Sequence, residues 1–118
     1  MEQKKPIINL VGIECPLETE DKFDTWYNEK HIPDLIKFKG MKSVTQYKFM
    51  GTAEEKIYGD GSALPKFLTV YEFESQKDFE EYEASAVLAA AREDALQIFK
   101  DTGASVIIRA QYESIKTW

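Results

Sequence analysis

The sequence predicts an α+β fold whose four strands and two helices follow the order β-α-β-β-α-β. Four short runs are rich in β-branched and aromatic residues, which favour strands. Between the first and second of these runs, and again between the third and fourth, apolar residues recur at helical spacing. The 118 residues are enough for one hydrophobic core, and no repeat or linker divides them, so we expect a single domain over residues 1–118.

The first strand is predicted over residues 6–14, an apolar run that Pro16 ends. Thr19 is placed to cap the helix that follows, and two acidic residues in its first turn suit the positive end of a helix dipole. Pro33 cannot continue this helix cleanly, but it suits the first turn of a second short helix that Gly40 would end. Four residues of the first helix share one face at helical spacing: Phe23, Trp26, Tyr27 and His31.

The next two strands are predicted over residues 41–50 and 66–74, of which the second is dense in aromatic and β-branched residues. The stretch between them, residues 51–65, is longer than a simple hairpin needs. Loops of that length are often functional.

A long second helix is predicted from residue 76 to about residue 100. Ser75 with Asp78 three residues later resembles a capping box, and Gly103 lies where such a helix would stop. The apolar stripe shifts partway along this helix, which predicts a bend near Ser85. Residues 104–115 form the predicted fourth strand.

These elements give the split-βαβ, or ferredoxin-like, arrangement, in which both helices cover one face of a four-stranded antiparallel sheet. The first strand nevertheless carries apolar residues on both faces, with Ile7 and Val11 on one side and Ile8 and Leu10 on the other. A sheet face exposed to water is normally polar. A second copy is the simplest cover for this bare apolar face, so we expect a twofold dimer packed sheet to sheet.

The composition argues against several classes of partner and cofactor. A net charge of −6 without a cluster of lysines and arginines argues against a nucleic-acid partner. No run approaches the ~20 apolar residues of a bilayer span, and the polar start lacks a signal peptide, so we expect a cytoplasmic protein with no membrane partner. With one cysteine, one histidine and no zinc, phosphate-loop or dinucleotide motif, the sequence indicates neither a metal nor an organic cofactor.

The only histidine lies in the segment WYNEKHIPDL, residues 26–35. His31 should project towards the layer between helix and sheet, where an imidazole with an ordinary pKa of about 6.5 can act as a general acid or base. A histidine in the last turn before a proline can equally cap carbonyls and complement the helix dipole. The pattern alone leaves both interpretations open.

The neighbours of His31 also have two interpretations each. Asp34 can orient the imidazole, or it can simply favour the start of the second short helix. Trp26 and Tyr27 can pack in the core or line a pocket for a flat apolar ligand. A few polar groups in an apolar cavity are typical of a small-molecule site. Seven polar strand residues are candidates to point into such a cavity: Asn9, Gln46, Tyr47, Tyr71, Glu72, Arg109 and Gln111.

The pattern around this segment resembles the EthD-like branch of the dimeric α+β barrel superfamily. The resemblance rests on Trp26-Tyr27, His31-Ile32-Pro33, Phe38-Lys39-Gly40 and a tyrosine, Tyr47, in the second strand. The family usually has proline before that glycine and often arginine before that tyrosine, where this chain has lysine and glutamine. The resemblance implies a homodimer whose sheets form a barrel, a pocket in each protomer between sheet and helices, and His31 as the favoured pocket residue.

Relatives in that superfamily include cofactor-independent monooxygenases, isomerases and decarboxylases. One hypothesis is therefore an enzyme that acts without a cofactor on an apolar cyclic or aromatic compound, by proton transfer, oxygenation, isomerisation or decarboxylation. The alternatives are a non-catalytic dimeric binding or accessory protein for an apolar metabolite, and a dimeric scaffold without a ligand. The candidate catalytic residues are His31, Asp34 and Tyr47. The candidate substrate-binding residues are Phe23, Trp26, Tyr27, Tyr71 and Arg109.

Overall fold

The structure is a computed structural model that describes residues 5–51 and 64–118. It contains one antiparallel sheet with the strand order β2-β3-β1-β4 and helices packed on one face, which confirms the predicted α+β, ferredoxin-like fold. Most of the predicted long connection, residues 52–63, lies outside the described residues. The strands are β1 (Ile7–Glu14), β2 (Met41–Lys48), β3 (Phe67–Phe73) and β4 (Ser105–Glu113).

The helical region between β1 and β2 contains the predicted second short helix, with Pro33 in its first turn, but this helix ends at Leu35, before the predicted stop at Gly40. A wider π-helical turn precedes it, so the chain stays helical up to the proline. Proline lacks an N–H group and crowds the carbonyl four residues before it, and a local change in helical pitch accommodates both effects. The successive segments are a 3₁₀ turn (Leu17–Thr19), α1 (Glu20–Trp26), the π turn (Tyr27–His31) and α2 (Ile32–Leu35).

The cap predicted at Thr19 is also absent, because its side chain makes a different contact. The Thr19 hydroxyl donates to the carbonyl of Thr102, 2.5 Å away, and no side-chain hydrogen bond caps α1. This contact joins the start of the first helical region to the end of the last helix.

The second helical region consists of two helices, α3 (Gln76–Glu83) and α4 (Ala86–Thr102), instead of one bent helix. Ser85 separates them: its backbone is extended, and its hydroxyl oxygen accepts from the N–H of Leu88 at 3.1 Å. The apolar stripe therefore shifts because a new helix begins there. The predicted cap at Ser75 and the predicted stop at Gly103, whose φ is +76°, are both confirmed.

The core lies between the helices and one face of the sheet, which we call the inner face. Ile7, Tyr71 and Phe73 on this face are buried against side chains of the helices. The buried helical side chains of this cluster are Leu35, Phe79, Tyr82, Leu88 and Ala91.

The opposite, outer face of the sheet is largely apolar. Leu10 pairs with Val70 on one side and with Ala110 on the other, and residues directly opposite in antiparallel strands share a face. The surrounding residues of this face are mostly apolar as well, namely Ile8, Leu68, Ile108 and Tyr112. None of the helices in the described ranges combines the length and apolar character that crossing a membrane requires.

Candidate functional site

A cavity of about 650 Å³ lies between the inner face of the sheet and the helices. Such a volume is typical of small-molecule sites, as is a wall in which apolar side chains outnumber a few polar ones. The apolar part of the wall includes Val11, Ile13, Leu35, Leu88, Leu96, Phe99 and Val106. The polar part includes Asn9, Tyr27, His31, Tyr71, Arg92 and Arg109.

The π turn places His31 in the wall of this cavity. Its imidazole stacks on Trp26, with ring centroids 4.6 Å apart, and on Tyr27, with centroids 5.3 Å apart. The indole N–H of Trp26 donates to the Asp94 carboxylate at 2.8 Å, so an anchored aromatic ring backs the imidazole. Packing and a hydrogen bond thus fix the orientation of His31.

The imidazole itself has no hydrogen-bond partner among residues 5–51 and 64–118. Its Nδ1 is buried and unpaired, and Nε2 makes no hydrogen bond to those residues either. The ring therefore does not cap a carbonyl, which was one of the two interpretations of His31. Because Nδ1 is buried, Nε2 is the nitrogen that a ligand in the cavity can reach.

Burial sets the protonation state of His31. It lowers the pKa of the imidazole to about 4, although the carboxylates of Asp94 and Asp34 act in the opposite direction. The side chain is consequently neutral at pH 7. A neutral imidazole can accept a proton or form a hydrogen bond with a ligand.

Three hydroxyl groups form a buried network beside the cavity. Tyr27 donates to the Thr69 hydroxyl at 2.7 Å, and the hydroxyls of Tyr27 and Tyr71 lie 2.9 Å apart. The single hydroxyl hydrogen of Tyr27 is used in its hydrogen bond to Thr69. Tyr71 is therefore the donor, and Tyr27 the acceptor, in the second contact. Burial raises the pKa of both phenols, so both stay protonated near neutral pH.

The eight predicted site residues separate into three groups, namely four that line the cavity, two that pack behind it, and two that lie outside it. Four of them line the cavity: Tyr27, His31, Tyr71 and Arg109. Trp26 supports His31 from behind, and the buried Phe23 stacks on Tyr27 and Phe99.

The structure does not bring Asp34 or Tyr47 into the cavity wall. The Asp34 carboxylate accepts hydrogen bonds from the ammonium groups of Lys30 and Lys37, so local ion pairs occupy it. Tyr47 is 53% exposed and pairs with Leu68 on the outer face of the sheet. The register of β2 therefore turns its phenol away from the helices.

The other polar strand candidates also divide by face. Asn9 lines the cavity, and its side-chain oxygen accepts from Gln111 at 2.7 Å. Gln46 pairs with the buried Thr69 on the inner face but is exposed, whereas Glu72 pairs with Ile8 on the outer face. The residues that the sequence did not single out include Asp94 and Arg92, both on α4.

The low pKa of His31 predicts that the free energy of unfolding depends on pH. Between pH 6.5 and about 4 the unfolded chain binds a proton at His31 that the folded chain does not. The contribution of His31 to the free energy of unfolding is therefore at its full value above pH 6.5. It decreases by about 3 kcal/mol as the pH falls to about 4. Urea unfolding at pH 7 and pH 4.5 should show a smaller loss for His31→Asn than for the wild type. Equal losses in both proteins would contradict the prediction.

Comparison with known proteins provides a family match and a set of similar folds. Residues 7–109 match the sequence profile of DUF4286, a domain of unknown function. No curated protein sequence matches the chain.

Among solved structures, an ethyl tert-butyl ether D (EthD) family protein from Bacillus halodurans is 13% identical, with a TM-score of 0.62 over 96% of this chain and 99% of the other. The cofactor-independent oxygenase SnoaB from Streptomyces nogalater is 6% identical, with a TM-score of 0.59 over 98% and 97% of the two chains. A dimeric protein of unknown function and ferredoxin-like fold from Bacteroides fragilis is 16% identical, with a TM-score of 0.58 over 96% of each chain. These likenesses confirm, at the level of the fold, the resemblance to EthD-like and other dimeric α+β barrel proteins.

Proposed function

We propose, from the premise that this chain belongs to the DUF4286 family, that it is a small-molecule enzyme acting by proton transfer on an apolar cyclic or aromatic compound without a cofactor. The observation that carries the proposal is the neutral imidazole of His31, which has no hydrogen-bond partner among the described residues and lies in an apolar cavity wall. A similar fold in a cofactor-independent oxygenase is consistent with this class of chemistry. Fold alone does not establish a reaction.

In the proposed reaction, Nε2 of His31 accepts a proton from an acidic C–H group of the substrate. The electron pair of that bond remains on the substrate as an enolate, and the proton stays on the imidazole until it returns to carbon. Return to a different carbon completes an isomerisation. A positioned imidazole accelerates proton transfer by about 10²–10⁴-fold, so the substrate must carry a C–H group that is already activated.

The composition of the two cavity walls favours a ring system in the substrate. Leu88 and Phe99 contribute apolar surface on the helix side, and Tyr71 and Asn9 contribute polar groups on the sheet side. A flat ring can contact both sides while an oxygen substituent meets the polar groups.

A second candidate function, supported by the low pKa of His31, is non-catalytic binding of an apolar metabolite. A base whose conjugate acid has a pKa of about 4 is weak, since the best general bases have a pKa near the working pH. A neutral imidazole remains a good hydrogen-bond partner. In this case His31 orients the ligand and no bond changes.

The two candidates are separated by 2-tetralone, a neutral bicyclic ketone with an acidic C–H group. Binding is measured by ligand-induced shifts in a ¹H–¹⁵N correlation spectrum, and proton transfer by deuterium incorporation into the ketone in D₂O. Binding with exchange above the buffer rate supports the enzyme, whereas binding without it supports the carrier. If neither 2-tetralone nor related bicyclic ketones and phenols bind, the small-molecule site is contradicted.

We also infer that the working form is a homodimer that packs through the outer faces of two sheets. The apolar outer face around Leu10, Val70 and Ala110 supports this arrangement, as does the dimeric relative of the same fold. The residues that line the cavity all belong to one chain, so the dimer is not needed to form these walls.

A further inference from the structure

Arg109 is a charged group in the cavity wall to which the proton-transfer proposal assigns no role. It lies on the inner face of β4, the edge strand, directly opposite Val11 of β1. Its guanidinium makes no ion pair and no hydrogen bond with residues 5–51 or 64–118. The chain has 21 acidic and 15 basic residues, so the missing ion pair of Arg109 does not result from a shortage of carboxylates.

Arg92, the other arginine of the chain, differs from Arg109 because it has a carboxylate partner. Arg92 lines the same cavity from α4, and its Nη2 lies 3.0 Å from a carboxylate oxygen of Glu83, which also lines the cavity. Glu93 also lines the cavity, yet it forms no ion pair with Arg109. Within the described residues, Arg109 is therefore the cavity arginine that has no carboxylate partner, and its guanidinium is available to an external anion.

We propose that the ligand of this cavity is a cyclic or aromatic carboxylic acid, bound by its ring against the apolar wall and by its carboxylate to Arg109. The inference rests on the proposed small-molecule site and names its substrate class. The planar guanidinium of arginine matches a carboxylate through two parallel hydrogen bonds, which a lysine cannot provide.

The surroundings of Arg109 strengthen this attraction. Arg109 shares the cavity wall with Tyr71 and Tyr82, and its positive charge acts on the pKa of both phenols in the direction opposite to the effect of burial. Opposite charges attract more strongly beside apolar walls than in bulk water. Because Arg109 itself is exposed to solvent, we expect a carboxylate to gain only about tenfold in affinity, which is at the low end for hydrogen bonds to charged groups.

The test compares 2-naphthoate with 2-naphthamide, a neutral compound of nearly the same shape. Dissociation constants are measured from ligand-induced shifts in ¹H–¹⁵N correlation spectra of the full chain. The wild type should bind 2-naphthoate about tenfold more tightly than 2-naphthamide. Arg109→Gln should lose this preference and keep its affinity for 2-naphthamide, which also shows that the cavity is intact.

Lys22→Gln is the control, because it removes one positive charge from an exposed position of α1 outside the cavity wall. This variant should keep the preference for 2-naphthoate. Equal affinities in the wild type, a preference retained in Arg109→Gln, or a preference lost to the same extent in Lys22→Gln would each overturn the inference.

These outcomes are distinct from failure of the proposed function. If 2-naphthamide binds but 2-naphthoate has no advantage, the site for apolar ligands stands and its carboxylate specificity is wrong. If neither naphthyl compound nor 2-tetralone binds, the small-molecule site itself is contradicted, and the role of Arg109 with it.

Discussion

Replacing His31 by asparagine is expected to slow deuterium exchange into a bound ketone by about 10²–10⁴-fold while leaving the fold and most of the affinity intact. Asparagine retains polar atoms in the cavity wall but cannot take up a proton near neutral pH. The loss should therefore appear in the rate at saturating ketone and much less in the concentration needed for half saturation.

Glu29→Asn provides the control for this substitution. Glu29 lies in the same π turn as His31 but is exposed to solvent, so the same new side chain is introduced outside the cavity. This variant should keep the wild-type rate. An unchanged rate in His31→Asn would eliminate proton transfer by the imidazole and favour the binding protein.

The pH profile of the wild type gives a second measure of the same role. The active form is the neutral imidazole, whose pKa burial lowers to about 4. After subtraction of the buffer reaction, the rate should stay level between pH 8 and pH 5 and fall only towards pH 4. A fall centred near pH 6.5 would mean that the imidazole is solvated in the working protein.

Local patterns predicted most of the fold. The four strands appear within two residues of their predicted limits, because clusters of β-branched and aromatic residues suit the pleated, half-buried surface of a sheet. Ser75 and Gly103 were also identifiable, since a cap acts on neighbouring residues. Ser85 was misinterpreted because the sequence does not show whether a helix bends at a disruption or ends there and a new helix begins.

The candidate site was predictable only in part. Tyr27 and His31 are four residues apart in one helical segment, so helical spacing placed them on one face. Tyr47 depends on the register of β2, which a bulge between Met41 and Ser43 shifts, and a shift of one residue turns every later side chain to the other face. Asp94 contacts Trp26 across 68 positions of sequence, and no local pattern indicates such a contact.

Replacing Leu10 by lysine is expected to convert a dimer into a folded monomer at micromolar concentration. Leu10 lies between Val70 and Ala110 on the outer face, so a sheet-to-sheet interface would bury its side chain. A twofold interface contains each substituted residue twice, and burying two unpaired ammonium groups costs several kcal/mol each. That cost weakens the dimer by more than a hundredfold, whereas within one chain the new side chain only meets solvent.

Sedimentation velocity measures the change directly, and circular dichroism shows whether the monomer remains folded. Leu17→Lys is the matched control, because Leu17 is 77% exposed in the 3₁₀ turn and lies outside the sheet. This variant should sediment as a dimer. A wild type that sediments as a single chain at micromolar concentration would contradict the proposed interface. Because the cavity is formed within one chain, a folded Leu10→Lys monomer should still bind 2-naphthamide, which separates the role of the outer face from that of the site.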